Sequence, residues 1–230
     1  MFIYLSQLFI SMETVFIPAY YKHELDKDFL KNIPQEVKEK NICIFTTIQF
    51  AKQLKQLESF LKKKGKKVIN AGEILGCTVA SLVSFEDRID CYIYLGSGIF
   101  HQLALAVKTK KKIYQANPLT NQISQLKEDE ISCYRKMKVN AVSAVKSAKK
   151  IGILVSTKPG QNNIELAEKI EKHLKGRGKE VFIFLFETLV PEELYNFPEI
   201  EAWVNTACPR IALDDIERFP KPVADAEDIL

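Results

Sequence analysis

The chain has 230 residues, 47% hydrophobic and 27% charged, which suits one large globular domain or two small ones. Its 33 basic and 29 acidic residues leave a formal charge of +4, too mild to argue for a nucleic-acid partner. No run approaches the ~20 consecutive apolar residues that span a bilayer, and residues 1–10 lack the basic leader and small-residue cleavage site of a secretory signal, so a cytoplasmic protein with no membrane partner is expected.

Short apolar runs rich in β-branched and aromatic residues predict strands over 15–20, 42–47, 67–70, 91–95, 112–116, 151–157, 180–186, 202–206 and 222–224. Met12, just ahead of the first, stands as an alternative start. Most of these runs are apolar on both faces, as buried parallel strands are. Helices are predicted over 50–64, 100–108, 125–149 and 163–176. In the first, Leu54, Leu57 and Leu61 recur at amphipathic spacing. Gly65 and Gly178 sit just past two of them, where a left-handed residue ends a helix.

Residues 42–70, ICIFTTIQFAKQLKQLESFLKKKGKKVIN, repeat in pattern at 151–184, IGILVSTKPGQNNIELAEKIEKHLKGRGKEVFIF. Each runs strand, threonine, glutamine, amphipathic helix, basic residues with glycine, strand. A weaker echo relates IDCYIYLGSG at 89–98 to IEAWVNTACP at 200–209. The fold class is therefore α/β: two similar three-layer units with mostly parallel sheets, divided as 1–149 and 150–230, the long helix over 125–149 joining them. In such sheets ligands gather beyond the carboxyl ends of strands, which selects residues 47–49, 76–78, 96–101, 157–163 and 207–210.

Five cysteines at scattered spacing, with no C-x-x-C pair, argue for reduced thiols and against a disulfide framework. Cys77 lies in AGEILGCTVA and Cys208 in WVNTACPR, both at turns. A soft iron needs thiolates held at such loops, although a single cysteine is equally a small buried hydrophobe. Cys43, Cys91 and Cys133 fall inside regular elements, where a side chain is committed to packing. Gly96, Ser97 and Gly98 follow a strand and open a helix, as an anion cradle or a tight turn would. Thr157, Lys158 and Gln161 offer a cation and exposed backbone suited to a carboxylate. His101 opens a helix and reads as a cap or packing residue. Arg210 and Asp214 could fix an amino-acid group by charge, or cap a helix. The lysine runs over 62–67 and 108–112 read as solvated faces.

The strings AGEILGCT, DCYIYLGSGIFHQLALAV with YQANP, TKPGQNN, and EAWVNTACPRIALDD with FPKPV occur in this order across nearly the whole chain. They resemble the diphthamide synthase family, the 2-(3-amino-3-carboxypropyl)histidine synthases. The resemblance implies three α/β domains around a central cavity, each giving one cysteine to a 4Fe–4S cluster. It also implies S-adenosylmethionine as cofactor, cleaved to a 3-amino-3-carboxypropyl radical that attacks a histidine of translation elongation factor 2, the protein substrate. By position Cys77 resembles the middle domain's ligand and Cys208 the last domain's; Gly96, Ser97, Gly98, Thr157, Lys158, Gln161, Arg210 and Asp214 are the expected cofactor contacts. Residues 15–20 resemble only the tail of the first domain, so a shortened member is expected, working as a homodimer or as a heterodimer with a chain supplying that domain and the third thiolate. The alternatives are a non-catalytic partner subunit, or a two-lobed α/β protein binding a small anion. Apolar surface is expected near residues 15–20.

Overall fold

The structure is a computed structural model that describes residues 15–75, 79–214 and 216–230. Its first regular element is a helix, α1 (Lys27–Glu36), capped by Asp26, whose carboxylate accepts the amides of Asp28 and Phe29 at 2.8 and 3.0 Å. It buries Phe29, Leu30 and Ile33 along one face. Then follow β1 (Asn41–Thr46), α2 (Ala51–Lys63), β2 (Lys67–Glu73), a 3-10 stretch at Val79–Arg88, β3 (Cys91–Leu95), α3 (Phe100–Ala106), β4 (Lys112–Asn117) and β5 (Gln122–Gln125). They form one sheet in the order β2-β1-β3-β4-β5, parallel except for β5.

The long helix α4 (Glu128–Ser147) leads into the second sheet: β6 (Lys150–Ser156), α5 (Ile164–Lys175), β7 (Glu180–Phe186), β8 (Ala202–Asn205), the short α6 (Ile211–Asp214) and β9 (Val223–Asp225). Its order is β7-β6-β8-β9, all parallel. Each sheet is covered on both faces. Phe29, Ile33, Leu54, Leu57 and Leu61 meet Ile42, Ile44 and Ile93 on one side of the first, while Leu82, Leu105 and Tyr134 meet Phe45 and Tyr92 on the other. In the second, Ala141, Val145, Ala167 and Ile170 pack on Ile151 and Ile153, and Trp203, Leu194 and Phe219 fill the far side. A Cβ at Gly152 would overlap the ring of Trp203, so this strand position takes glycine because the indole occupies that space.

The repeat is structural. Ile42 pairs with Val68 and Cys91; Ile151 pairs with Val181 and Ala202. Gly65 and Gly178 both turn with φ near +78° (79° and 77°). It also reaches further than the sequence pattern. Lys66 donates to the carbonyls of Val37, Lys38 and Glu39 beyond α1, and Lys179 to those of Lys146 and Ala148 at the end of α4. Thus α1 and α4 are equivalent, each preceding the strand that lies one in from the edge of its sheet.

Three expectations need correction. Residues 15–20 form no strand; Val15 and Ile17 are 77% and 85% exposed, because these residues pair with neither sheet. The helix expected from residue 125 starts at Glu128, since residues 122–125 pair with β4 instead. Cys133 is exposed on α4 and is not committed to packing.

Candidate functional site

The loop after β3 folds around a tyrosine. A Cβ at Gly96 would lie 2.6 Å from the phenol end of Tyr94, so only glycine lets that ring tuck beneath the turn. Tyr94 Oη donates to the Ser97 carbonyl at 3.3 Å. Gln115 of β4 donates to the carbonyls of Gly96 and Gly98 at 3.1 and 2.9 Å, and Gln102 to that of Gly98 at 3.0 Å. Gly98 has φ +77°, a left-handed residue at the helix entrance. Burial raises the Tyr94 phenol pKa, so it stays a neutral donor. The His101 ring stacks on Tyr94 with centroids 5.4 Å apart, and burial together with the nearby Arg210 charge lowers its pKa, leaving it neutral at pH 7.

The loop after β6 is a turn on the surface. Thr157 N–H donates to Phe186 at 2.8 Å, Lys158 N–H to the Ser156 hydroxyl at 3.2 Å, and Gln161 N–H to Lys158 at 3.0 Å. Thr157, Lys158 and Gln161 are exposed. Asn163 ties this loop to the next one by donating to the Thr206 carbonyl at 2.7 Å.

The loop after β8 carries Cys208, which is half-buried. Thr206 is anchored to Leu154 by its N–H at 3.1 Å and its hydroxyl at 2.9 Å. Asn205 accepts from Ala207 N–H at 3.1 Å and donates to the Cys208 carbonyl at 3.0 Å and to Asp225 at 3.1 Å. Ile211 N–H also donates to the Cys208 carbonyl, at 3.0 Å. Arg210 is exposed, its guanidinium 5.7 Å from the Phe100 ring centroid. The Cys208 loop of the second unit therefore meets the start of α3, directly after residues 96–98 of the first.

Burial pushes the Asp225 carboxyl up to about 6, against the opposing pull of Asn205 and Lys138. Lys138 is raised for its own reason: burial lowers it, but Asp228, bonded at 2.9 Å, outweighs that, while Asp225 is 4.0 Å away. The longer contact does not offset the burial of Asp225.

Cys77, with Gly76 and Thr78, lies outside the described residues. Asp214 ends α6. Cys43 and Cys91 are wholly buried in β1 and β3, and burial lifts both thiols to about 12, which removes them as thiolate donors. Among the described residues no three His, Cys, Asp or Glu side chains gather as a metal site. Cys208 is a soft donor on a braced, partly open loop beside a cation, which suits one ligand of a shared cluster. Sequence reasoning missed the side chains that brace these loops: Tyr94, Gln115, Asn163, Asn205 and Asp225. A polar Asn205 closing the otherwise apolar AWVN strand was the available signal.

The family model for diphthamide synthesis proteins matches residues 4–227. The chain belongs to that family. It is 32% identical to the 2-(3-amino-3-carboxypropyl)histidine synthase of Pyrococcus horikoshii over 96% of its own length and 65% of the relative's. It is 30% identical to the Methanocaldococcus jannaschii synthase over 94% of its length and 61% of the relative's. A Caenorhabditis elegans relative, 26% identical over 83% of this chain and 50% of its own, is named subunit 1 of such a synthase. Among solved structures, Dph2 from Pyrococcus horikoshii with a 4Fe–4S cluster superposes with a TM-score of 0.75 at 32% identity, covering 88% of this chain and 60% of that one. The chain thus spans between half and two thirds of the length of these family members. No helix among the described residues is long and apolar enough to cross a membrane.

Proposed function

We propose that this chain contributes two cysteines, Cys77 and Cys208, to a 4Fe–4S site used in the first step of diphthamide synthesis. The observation that carries the proposal is the placement of Cys208, half-buried on a braced loop at a strand's carboxyl end, in a chain whose fold matches a relative solved with such a cluster. Residues 1–149 then act as the family's middle domain and residues 150–230 as its last, and the third thiolate comes from a second copy in a homodimer or from a different chain in a heterodimer. The chemistry such a cluster supplies when bound is one-electron cleavage of S-adenosylmethionine to a 3-amino-3-carboxypropyl radical, for transfer to a histidine of translation elongation factor 2.

The chain's own residues bind and orient. Lys158 and Arg210 offer cations for the carboxylate of the amino-acid group, a charge-assisted contact. Thr157 and Gln161 add hydroxyl and amide partners, and Asp214 an anion for the amino group. The loop at Gly96, Ser97 and Gly98 has its carbonyls turned to Gln115, Gln102 and Tyr94, and its Gly96 amide bonded to the Ala116 carbonyl at 3.0 Å, so Ser97 and Gly98 would present their backbone amides to the ligand.

The test is anaerobic reconstitution with iron and sulfide, alone and with proteins co-purified from the native source. Thiolate-to-iron absorbance and bound iron are expected, both lost in the Cys77→Ala, Cys208→Ala double variant. No iron uptake under either condition would overturn the cluster assignment and favour a small-anion-binding role.

A further inference from the structure

We propose that Asn205, braced by Asp225, is a positioning residue that sets how the loop after β8 presents Cys208. Its purpose rests on the cluster reading above; its geometry does not. Asn205 is 2% exposed and Asp225 6%. The Asn205 amide uses both donors, on the Cys208 carbonyl and the Asp225 carboxylate, and its oxygen accepts from Ala207. One buried side chain thus spans the backbone from residue 205 to 208. Rotating the Cys208 peptide would strand a buried donor, at a cost of about 1–3 kcal/mol.

The repeat supplies an independent observation. Cys91 and Ala202 hold equivalent register positions beside Ile42 and Ile151, so Asn205 corresponds to Tyr94 and Cys208 to Ser97. Tyr94 donates to the carbonyl of Ser97, three residues on, as Asn205 does to that of Cys208. The register partner of Tyr94 on β4 is Gln115, which holds the same loop; that of Asn205 on β9 is Asp225, which holds Asn205. Two unlike side-chain pairs therefore grip the same turn in the two units. A residue that merely filled space at the strand end would need neither the i-to-i+3 bond nor a buried carboxylate behind it.

The experiment uses the full cluster-free chain, alkylated with iodoacetamide and read cysteine by cysteine by mass spectrometry. Asn205→Ala and Asp225→Ala are expected to change the Cys208 rate by about fivefold or more, the effect of losing a hydrogen bond or two. Asp225→Asn, which keeps an acceptor for Asn205, should stay within about twofold of the parent. Cys43 and Cys91, both fully buried, report global unfolding and should remain protected. After reconstitution, Asn205→Ala should lose iron to a chelator faster than the parent. An unchanged Cys208 rate in both alanine variants, or a change seen only together with exposure of Cys43 and Cys91, would overturn the proposal. A parent chain that takes up no iron would sink the cluster reading instead, while the alkylation comparison still decides the role of Asn205.

Discussion

Asp225 lies at the end of β9, hydrogen-bonded to Asn205 and 4.0 Å from the Lys138 ammonium. Its carboxyl is raised from 3.8 to about 6 because burial disfavours the charge more than its neighbours favour it. The folded state then holds a proton that the unfolded chain has already released between pH ~4 and ~6. Stability from this group is complete below the unfolded value and falls as pH rises through the folded one, by up to about 3 kcal/mol. Urea midpoints of the parent and Asp225→Asn should therefore diverge with pH. Between pH 4.5 and 7.5 the variant should gain about 1–3 kcal/mol relative to the parent, since asparagine carries no charge to bury. A difference that stays constant across that range would contradict the assignment.

At the scale of elements, the two lysines behind β2 and β7 do what no capping residue does at those helix ends. Lys66 gathers three carbonyls at 2.9–3.1 Å after α1, and Lys179 gathers two after α4. Such charge-assisted bonds gather carbonyls at or just beyond the helix ends and answer the negative end of the helix dipole. Lys66→Met keeps the stem and removes the donors, and should cost about 1–3 kcal/mol in chemical denaturation; Lys179→Met should cost a similar amount, and no loss in either would refute the equivalence of α1 and α4. The strands were the most legible elements: β3 is apolar throughout and β7 from Val181 onward, and the ends of both coincide with their expected bounds. α1 was not legible: Pro34 inside it and its charged flanks hide a stripe of only Phe29, Leu30 and Ile33. β5 was lost for the opposite reason, as QISQ is a polar edge strand made by pairing with β4 rather than by its own propensity. At the site, Cys208 and the loop glycines could be read from turn chemistry. Asp225 and Gln115 could not, because their role depends on the register between neighbouring strands, and Asn205 left only the signal of a polar residue closing an apolar strand.

For the whole molecule, α4 is the element that makes two units one. Its first half gives Ile131 and Tyr134 to the core of the first sheet, and its second half gives Ala141 and Val145 to that of the second. Lys138, between the halves, reaches Asp228 and Glu227 near the end of the chain, and Lys108 of the first unit also reaches Glu227 at 3.2 Å. If the units divide as 1–149 and 150–230, their cooperativity should run through this helix. Val139 is 63% exposed at its middle and contributes to neither core, so Val139→Pro breaks the rod without emptying a cavity. Trp203 is the chain's single tryptophan and is wholly buried in the second unit, so its fluorescence reports that unit alone, whereas far-ultraviolet dichroism reports both. In the parent the two signals should fall together on denaturation, as a single cooperative transition requires. In Val139→Pro the helix loses about 3 kcal/mol or more of support and the signals should separate into two transitions. Coincident curves in the variant would mean that the units are coupled through their loops instead, with the Arg210–Phe100 contact carrying what α4 does not.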